Sequence, residues 1–444
     1  MNRHQPLYQT LPDGTLKHVN PLSGTEVWTV PSRAHRPFKL PAVPVQALSP
    51  VDPENYCDFC PSAYLNTPPE KSRLVQIAHN VYEKIIGLPP DQFDSSRAVF
   101  RRVANLFEIV TLDYWIKNHG FNPSPRQLQF RKDYLGNSLG RDHALRMIDT
   151  KLIFSGYSPE ARAGFSELKK LAFADAFFFG SHDLIITQRH YISGAKTDNQ
   201  YCSSGELSIE EHRRFFRFTL DALDDLYAQN LKIRYISVFQ NWLHPAGASF
   251  NHLHKQLVGM DEWGVSIRRE LEAVRENPNI YNEQIIDFAK ARGLILAENQ
   301  HAIALCEWGH RYPTLAVYSK SPEVRPQEQT WEELSDFSDL VHACHAASGS
   351  QIPCNEEWFF APRDADLPIP WHVLIKWRTL QQAGFEGGTK IYINPLAPEA
   401  LRNQMAAKLL DLRKTGKIAD FRIGDECVTE KNSLLYGRKE NISH

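Results

Sequence analysis

Cysteine, net charge and long apolar runs are all scarce in this 444-residue chain, and each scarcity excludes something. A formal net charge of −2 rules out wholesale electrostatic attraction to nucleic acid or to an anionic membrane, so any phosphate site must be local. No run of about 18 apolar residues occurs, and the start, "MNRHQPLYQTLPDGTLKHVN", lacks the apolar core of a secretory leader, so the expectation is a cytoplasmic protein with no membrane partner. Seven cysteines are too few and too odd for a disulfide framework. Only Cys57 and Cys60 stand close together; Cys202, Cys306, Cys344 and Cys354 have no partner spacing and read as small buried apolar residues.

What is present is ordinary for a globular protein: 42% hydrophobic and 23% charged residues, enough to bury a sizeable core. The first 75 or so residues are rich in proline and turn formers and read as extended segments wrapped over that core. Residues 112–172 carry amphipathic stretches such as "DHALRMIDTKLIF" and "SPEARAGFSELKKLAF" and read mostly as helix. Beyond them "HDLIITQRH", "IRYISVFQNW" and "SFNHLHKQLVG" read as strands around the long helix "SIEEHRRFFRFTLDALDDLYAQN". A similar order follows, with helix "TWEELSDFSDLVHACHAAS" and strands "EEWFFAPR" and "IPWHVLIKWR". Each set ends in a histidine-bearing strand after a long helix, which predicts an α+β fold with a weak internal duplication.

The stretch "FNHLHKQLVG" raises the chemical question. Alternate residues of a strand point the same way, so His252, His254 and Gln256 are expected on one face, with Leu253 and Lys255 on the other. Gly247, Ala248 and Ser249 just upstream leave room for a ligand, and Asn241 ends the preceding strand. A solvated strand face is the plain alternative. Cys57-Asp-Phe-Cys60 has the spacing of half a tetrahedral zinc site and needs two further ligands, for which His190 and His252 are reasonable candidates that spacing alone does not select among 18 histidines.

Taken in order, "NPLSGTEVWTVPSRAHRPF", "CDFCPSAYLNTPPE", "NLFEIVT", "HDLIITQRH", "VFQNWLHPAGASFNHLHKQLVG" and "AGFEGGTKIYINPLAPE" resemble the galactose-1-phosphate uridylyltransferase family, with its ADP-glucose phosphorylase-like relatives, in the histidine-triad superfamily. The resemblance implies two fused histidine-triad-like repeats of antiparallel sheet with packed helices, divided as 1–260 and 261–444, and a homodimer. It assigns Cys57, Cys60, His190 and His252 to a structural zinc, His254 to the nucleophile and Gln256 to the group holding the phosphoryl oxygens. Ser249, Asn241, Arg33 and Arg36 match phosphate-contacting positions, and Asn105 with Phe59 lies where the nucleoside is held. Glu386 and Thr389, in "AGFEGGT", match the loop that meets the sugar or second phosphate; a glycine-rich turn is the alternative there.

The implied activity is transfer of a nucleoside monophosphate, UMP in the leading version, from a nucleotide sugar to a sugar 1-phosphate through a nucleotidyl-histidine. A phosphorylase using inorganic phosphate is the alternative enzyme, and a zinc-stabilised nucleotide-binding protein the alternative of another class. The chemistry suits the residue types, because an imidazole can attack phosphorus if donors stabilise the charge on the phosphoryl oxygens. Two departures stand out: Leu253 and Lys255 replace the family's usual proline and glycine, and the second repeat keeps only His372, with Pro370 where relatives often have another histidine. Lys255 reads as a solvated surface lysine.

Overall fold

Alternation of side chains builds the sheet that carries the histidine strand. In Tyr235–Trp242 the residues Ile236, Val238, Gln240 and Trp242 are buried on one face, while Ser237, Phe239 and Asn241 stay half-buried on the other, the period-two pattern of a strand. A computed structural model of the chain describes residues 6–34, 44–48, 55–380 and 382–437. Its strands in chain order are β1 Tyr8–Thr10, β2 Leu16–Val19, β3 Glu26–Thr29, β4 Glu70–Ala78, β5 Val81–Ile86, β6 Ala98–Ala104, β7 His182–Thr187, β8 Tyr235–Trp242, β9 His254–Met260, β10 Ile295–Glu298, β11 Ala302–Glu307, β12 Thr314–Ser319, β13 Cys354–Phe359, β14 His372–Trp377, β15 Ile391–Ile393 and β16 Arg422–Ile423.

Twelve of these form one sheet in the order β16-β10-β11-β12-β14-β13-β8-β9-β7-β6-β4-β5, and the other four form a small sheet β1-β2-β3-β15. The long sheet reads alike from its middle outwards: β8-β9-β7-β6-β4 on one side, β13-β14-β12-β11-β10 on the other, all pairs antiparallel. The seam is the β8–β13 pair, with Asn241 opposite Asn355 and Phe239 opposite Glu357. The architecture is therefore the expected α+β, in which two similar strand orders share a single sheet.

One face of the sheet is covered by helices Ile209–Gln229 and Trp331–Ser348. Each starts at a hydroxyl cap, Ser208 with Glu211 and Thr330 with Glu333, whose side chains satisfy otherwise orphaned N–H groups. The two helices meet through Arg213–Asp339 at 2.6 Å and a His212–Ser338 hydrogen bond at 2.8 Å. Phe215 and Phe216 of the first are fully buried.

That cover corrects the reading of Lys255. The alternation that turns His254 towards the open face drives Lys255 beneath the helix, where it is 0% exposed and lies 4.9 Å from the ring centres of Phe215 and Phe216. It pairs with Glu356 of β13, which also accepts hydrogen bonds from His345 Nε2 at 2.8 Å and Trp358 Nε1 at 2.6 Å. Burial alone would raise the Glu356 carboxyl, but Lys255 and His345 outweigh it and hold it at about 2.

Residues ahead of Gly180 form the short helix Asp175–Phe179. The stretch "NEQIIDFAKARG" is a π turn, Tyr281–Ile286, followed by helix Asp287–Ala291. One other expectation shifts. The strand of "SFNHLHKQLVG" starts only at His254, so His252 lies in the bend ahead of it.

Residues 112–172 are helical as expected, in Leu112–His119, Pro125–Gly136, Ser138–Phe154, Pro159–Ala163 and Glu167–Phe173. His143 Nε2 ties them to the carbonyl of Thr67 at 2.9 Å. Among the described residues no helix is long and apolar enough to cross a membrane.

Two measurements follow. Glu356→Gln leaves Lys255 buried without a counter-charge, and urea unfolding should report a loss of about 3–5 kcal/mol. Acid should also destabilise the protein. Burial lowers His143, His342 and His372 from 6.5 to about 4, so the unfolded chain binds more protons than the folded one between those values. Stability is then expected to fall as pH drops from about 6.5 to about 4 and to gain nothing from these groups above that window, which urea midpoints at pH 7 and pH 4.5 will check.

Candidate active site and metal centre

The CxxC turn brings two sulfurs to one side. Cys60 N–H donates to Cys57 O at 2.9 Å, and Cys60 leads into the 3-10 helix Pro61–Asn66, leaving the two Sγ atoms 3.8 Å apart. His190, three residues past β7, and His252, two before β9, turn their Nδ1 atoms to the same point. Nδ1 of His190 is 3.4 and 3.5 Å from the sulfurs of Cys57 and Cys60, and that of His252 is 3.5 and 3.7 Å away. His252 Nε2 lies 2.7 Å from the carbonyl of Thr187, an acceptor, so the ring proton sits on Nε2 and the Nδ1 lone pair faces the cysteines. These four ligand atoms all lie within 4.8 Å of one another and could hold a metal ion.

His254 begins β9 on the open face and is 5% exposed. Its Nδ1 is 2.7 Å from the carbonyl of His252, which again can only accept, so the neutral ring carries its proton there and presents a bare Nε2. Burial lowers its pKa to about 4, which keeps the imidazole uncharged at neutral pH. Phe59 packs edge-on at 5.2 Å from this ring and 4.4 Å from Phe250. At 6% exposure it backs the histidine.

Gln256, half-buried on the same face, is held by a residue that sequence reasoning missed. Ile109 N–H donates to His182 Nδ1 at 3.2 Å, so the His182 proton sits on Nε2 and goes to Gln256 Oε1 at 3.1 Å. Asn105 Nδ2 approaches the same oxygen at 3.4 Å, while its own Oδ1 accepts from Phe107 N–H at 2.9 Å. With Oε1 taken, the Gln256 amide is oriented with its N–H₂ left to donate. Alternation alone puts His182 on a strand face with Leu184 and Ile186, but that these pair with Gln256 and His254 is seen only in the sheet.

Asn241 lies two residues past Phe239, which pairs with Gln256, and is therefore level with His254 on the open face. Its Oδ1 accepts from Asn355 Nδ2 at 2.7 Å. Ser249 is exposed on the loop into His252, a loop that leaves β8 through Leu243 in the sparsely populated conformation φ 65°.

Of the remaining expected residues, Arg33 is exposed in the short helix Pro31–Ala34, and Arg36 lies outside the described residues. Glu386 and Thr389 belong to a short helix, Gly384–Thr389, and not to a loop. There Glu386 accepts from Ala383 N–H at 3.0 Å and Thr389 Oγ1 donates to Phe385 O at 2.7 Å, so both serve local capping within this chain.

The fold has the architecture of the ADP-glucose phosphorylase and GalT-like proteins, of which this chain is a divergent relative. A crystal structure of an ADP-glucose phosphorylase from Arabidopsis thaliana with bound ADP-glucose superposes with a TM-score of 0.56 at 17% identity, covering 88% of this chain and 97% of that one. A GalT-like protein from Arabidopsis thaliana gives 0.53 at 17% identity, covering 88% and 98%. In sequence, an ADP-glucose phosphorylase of Arabidopsis thaliana is 23% identical over 235 residues, 51% of this chain but only 64% of that relative's length. The chain belongs to the family described as Domain of unknown function (DUF4921), whose model matches residues 11–436.

If the four-residue cluster holds a metal, elemental analysis of purified protein should find about one equivalent of it, and Cys60→Ser should lose it together with thermal stability. Metal-free wild-type protein that melts at the same temperature would contradict this.

Proposed function

We propose that the protein is a nucleotidyltransferase acting on nucleotide sugars through a covalent nucleotidyl-histidine at His254. The observation that carries this reading is the pairing of His254 and Gln256: an uncharged imidazole with its proton pinned to a carbonyl, beside an amide whose oxygen is already occupied. His254 Nε2 attacks the α-phosphorus, an N–P bond forms, the P–O bond to sugar 1-phosphate breaks, and that phosphate leaves with the electron pair. The Gln256 N–H₂ donates to the phosphoryl oxygens as charge builds there, a role in which one donor contributes about 10²–10³-fold in rate. A second phosphate-bearing acceptor then takes the nucleotidyl group and restores Nε2.

In the same reading Cys57, Cys60, His190 and His252 hold a structural zinc. The donor set supports this: tetrahedral bonds of about 2.3 Å to sulfur and about 2.0 Å to nitrogen imply S···S edges near 3.8 Å and S···N edges near 3.5 Å, against separations of 3.8 Å and 3.4–3.7 Å here. Bound, the ion would fix the bend that ends at His254. Asn241 and Ser249 are assigned to phosphate and Asn105 to the nucleoside side through its contact with Gln256. The division at 260 and 261, the homodimer, and roles for Arg33, Arg36, Glu386 and Thr389, which would then come from a partner copy, belong to this proposal as well.

For the donor, UMP is the leading version that the family resemblance implies, and no residue described above fixes uracil over adenine. A phosphorylase, with inorganic phosphate as acceptor, is the alternative, in line with the similarity to an ADP-glucose phosphorylase. Both share the first half-reaction. Intact-protein mass spectrometry after incubation with UDP-glucose or ADP-glucose should show a gain of one nucleoside monophosphate, absent in His254→Ala, and its size names the base. Chasing the adduct with glucose 1-phosphate or with inorganic phosphate separates transferase from phosphorylase. No adduct from either donor on a folded, metal-loaded protein would leave the binding-protein reading.

A further inference from the structure

The mirrored strand order places β14 in the second half where β9 stands in the first, and His372 where His254 stands. The ring is tied down alike, with Nδ1 at 2.9 Å from the carbonyl of Pro370, two residues back. Two differences matter. Leu374 occupies the position of Gln256, so no amide donor faces the ring. Tyr318 and Phe359 stack on the imidazole at 4.8 and 5.1 Å, nearly parallel to it, and occupy both aromatic faces that a nucleobase could have used. This half therefore lacks the donor for phosphoryl transfer and the free aromatic face for a base, yet it keeps a cavity of about 1270 Å³.

The walls of that cavity are charged in an ordered way. Arg269, Arg311, Lys376 and Arg378 bring four cations, and Glu307 and Glu357 two carboxylates, with Lys376 paired to Glu357 at 2.6 Å, a contact that a bound phosphate would share or replace. A third, Glu270, is pushed by burial up to about 8 and is mostly uncharged at neutral pH. Positive charge is thus in excess. Arg378 is only partly satisfied: it donates to Asn355 Oδ1 at 2.6 Å and lies over the Tyr312 ring at 4.8 Å, while its Nε is buried with no partner, as is the neighbouring hydroxyl of Thr379. Buried donors left unmet are rare, and two on one cavity wall mark a place that a ligand or water completes.

We propose that this cavity binds a phosphorylated sugar, with the phosphate on Arg378 and Lys376 and the hydroxyls on the carboxyl groups of Glu270 and Glu307. A bare anion would meet those carboxyl groups without hydroxyls to offer them. The site stands apart from the nucleophile, since β14 is three strands from β9, about 14 Å at the usual spacing. It is nonetheless coupled to it: Arg378 holds Asn355, Asn355 holds Asn241, and Asn241 is level with His254. A sugar phosphate released at the first site and one supplied from solution share this chemistry.

Calorimetric titration of full-length His254→Ala with glucose 1-phosphate, glucose 6-phosphate, glucose and inorganic phosphate tests the proposal. Saturable binding of a sugar phosphate is expected, at least tenfold tighter than phosphate or glucose, and weakened at least tenfold by adding Arg378→Gln or Lys376→Gln. Preference for the 1-phosphate points to the released product as the source, and equal binding of the 6-phosphate to solution. Lys376 is half-buried and its removal spares the Arg378 contacts, so that variant stands if Arg378→Gln fails to fold. Binding unchanged by Lys376→Gln but lost in Gln256→Ala, phosphate binding as tightly as sugar phosphate, or no binding at all would each overturn it. None of these outcomes depends on adduct formation at His254, so this site and the nucleotidyl-transfer reading fail separately.

Discussion

A single carbonyl oxygen organises the chemistry of this protein. His252 O accepts the His254 Nδ1 proton at 2.7 Å, and the same residue's ring, pinned by Thr187, turns Nδ1 towards Cys57 and Cys60. The bend that ends at His254 thus sets the direction of the His252 ring and the tautomer of His254 together. Were it to straighten into strand, His252 would join His254 on the open face, the cysteine cluster would lose a corner and the carbonyl would turn into the sheet ladder. The cysteine–histidine cluster and the orientation of the His254 imidazole are in this sense one backbone feature.

Around that feature the sheet enforces a division of labour by parity. Odd and even positions of β9 serve different masters: His254 and Gln256 face the open side, Lys255 and Leu257 the helices. The same parity runs across β8, β13 and β14, which is why Asn241, Asn355, Lys376 and His372 form a polar band on one face while Gln240, Glu356 and Val373 lie in the core of the other.

Much of this was legible in the residues because it rests on local pattern. Alternation and helical spacing were enough for the strands and long helices, while the CxxC spacing pointed to two members of the cluster and the family resemblance supplied His190 and His252. What was not legible came from tertiary context. Nothing local in "HLHKQ" says that a helix will cover Lys255, since burial of a charge depends on Glu356 a hundred residues away. His182 was overlooked because its role lies in register with Gln256, a property of pairing between strands. Glu386 and Thr389 looked like ligands in a glycine-rich turn, and only the fold reveals that a single helical turn engages both.

The Lys255–Glu356 pair also has a consequence for how such a chain can be divided. Lys255 belongs to β9 and Glu356 to β13, on opposite sides of the β8–β13 seam, with Gln240 of β8 touching Lys255 between them at 3.3 Å. Neither half is electrically complete alone: the first would bury an ammonium and the second a carboxylate, each without its counter-ion. The two strand orders are alike, but this charge pair is shared between them, so a chain cut at the seam would leave a buried charge without its partner in each piece.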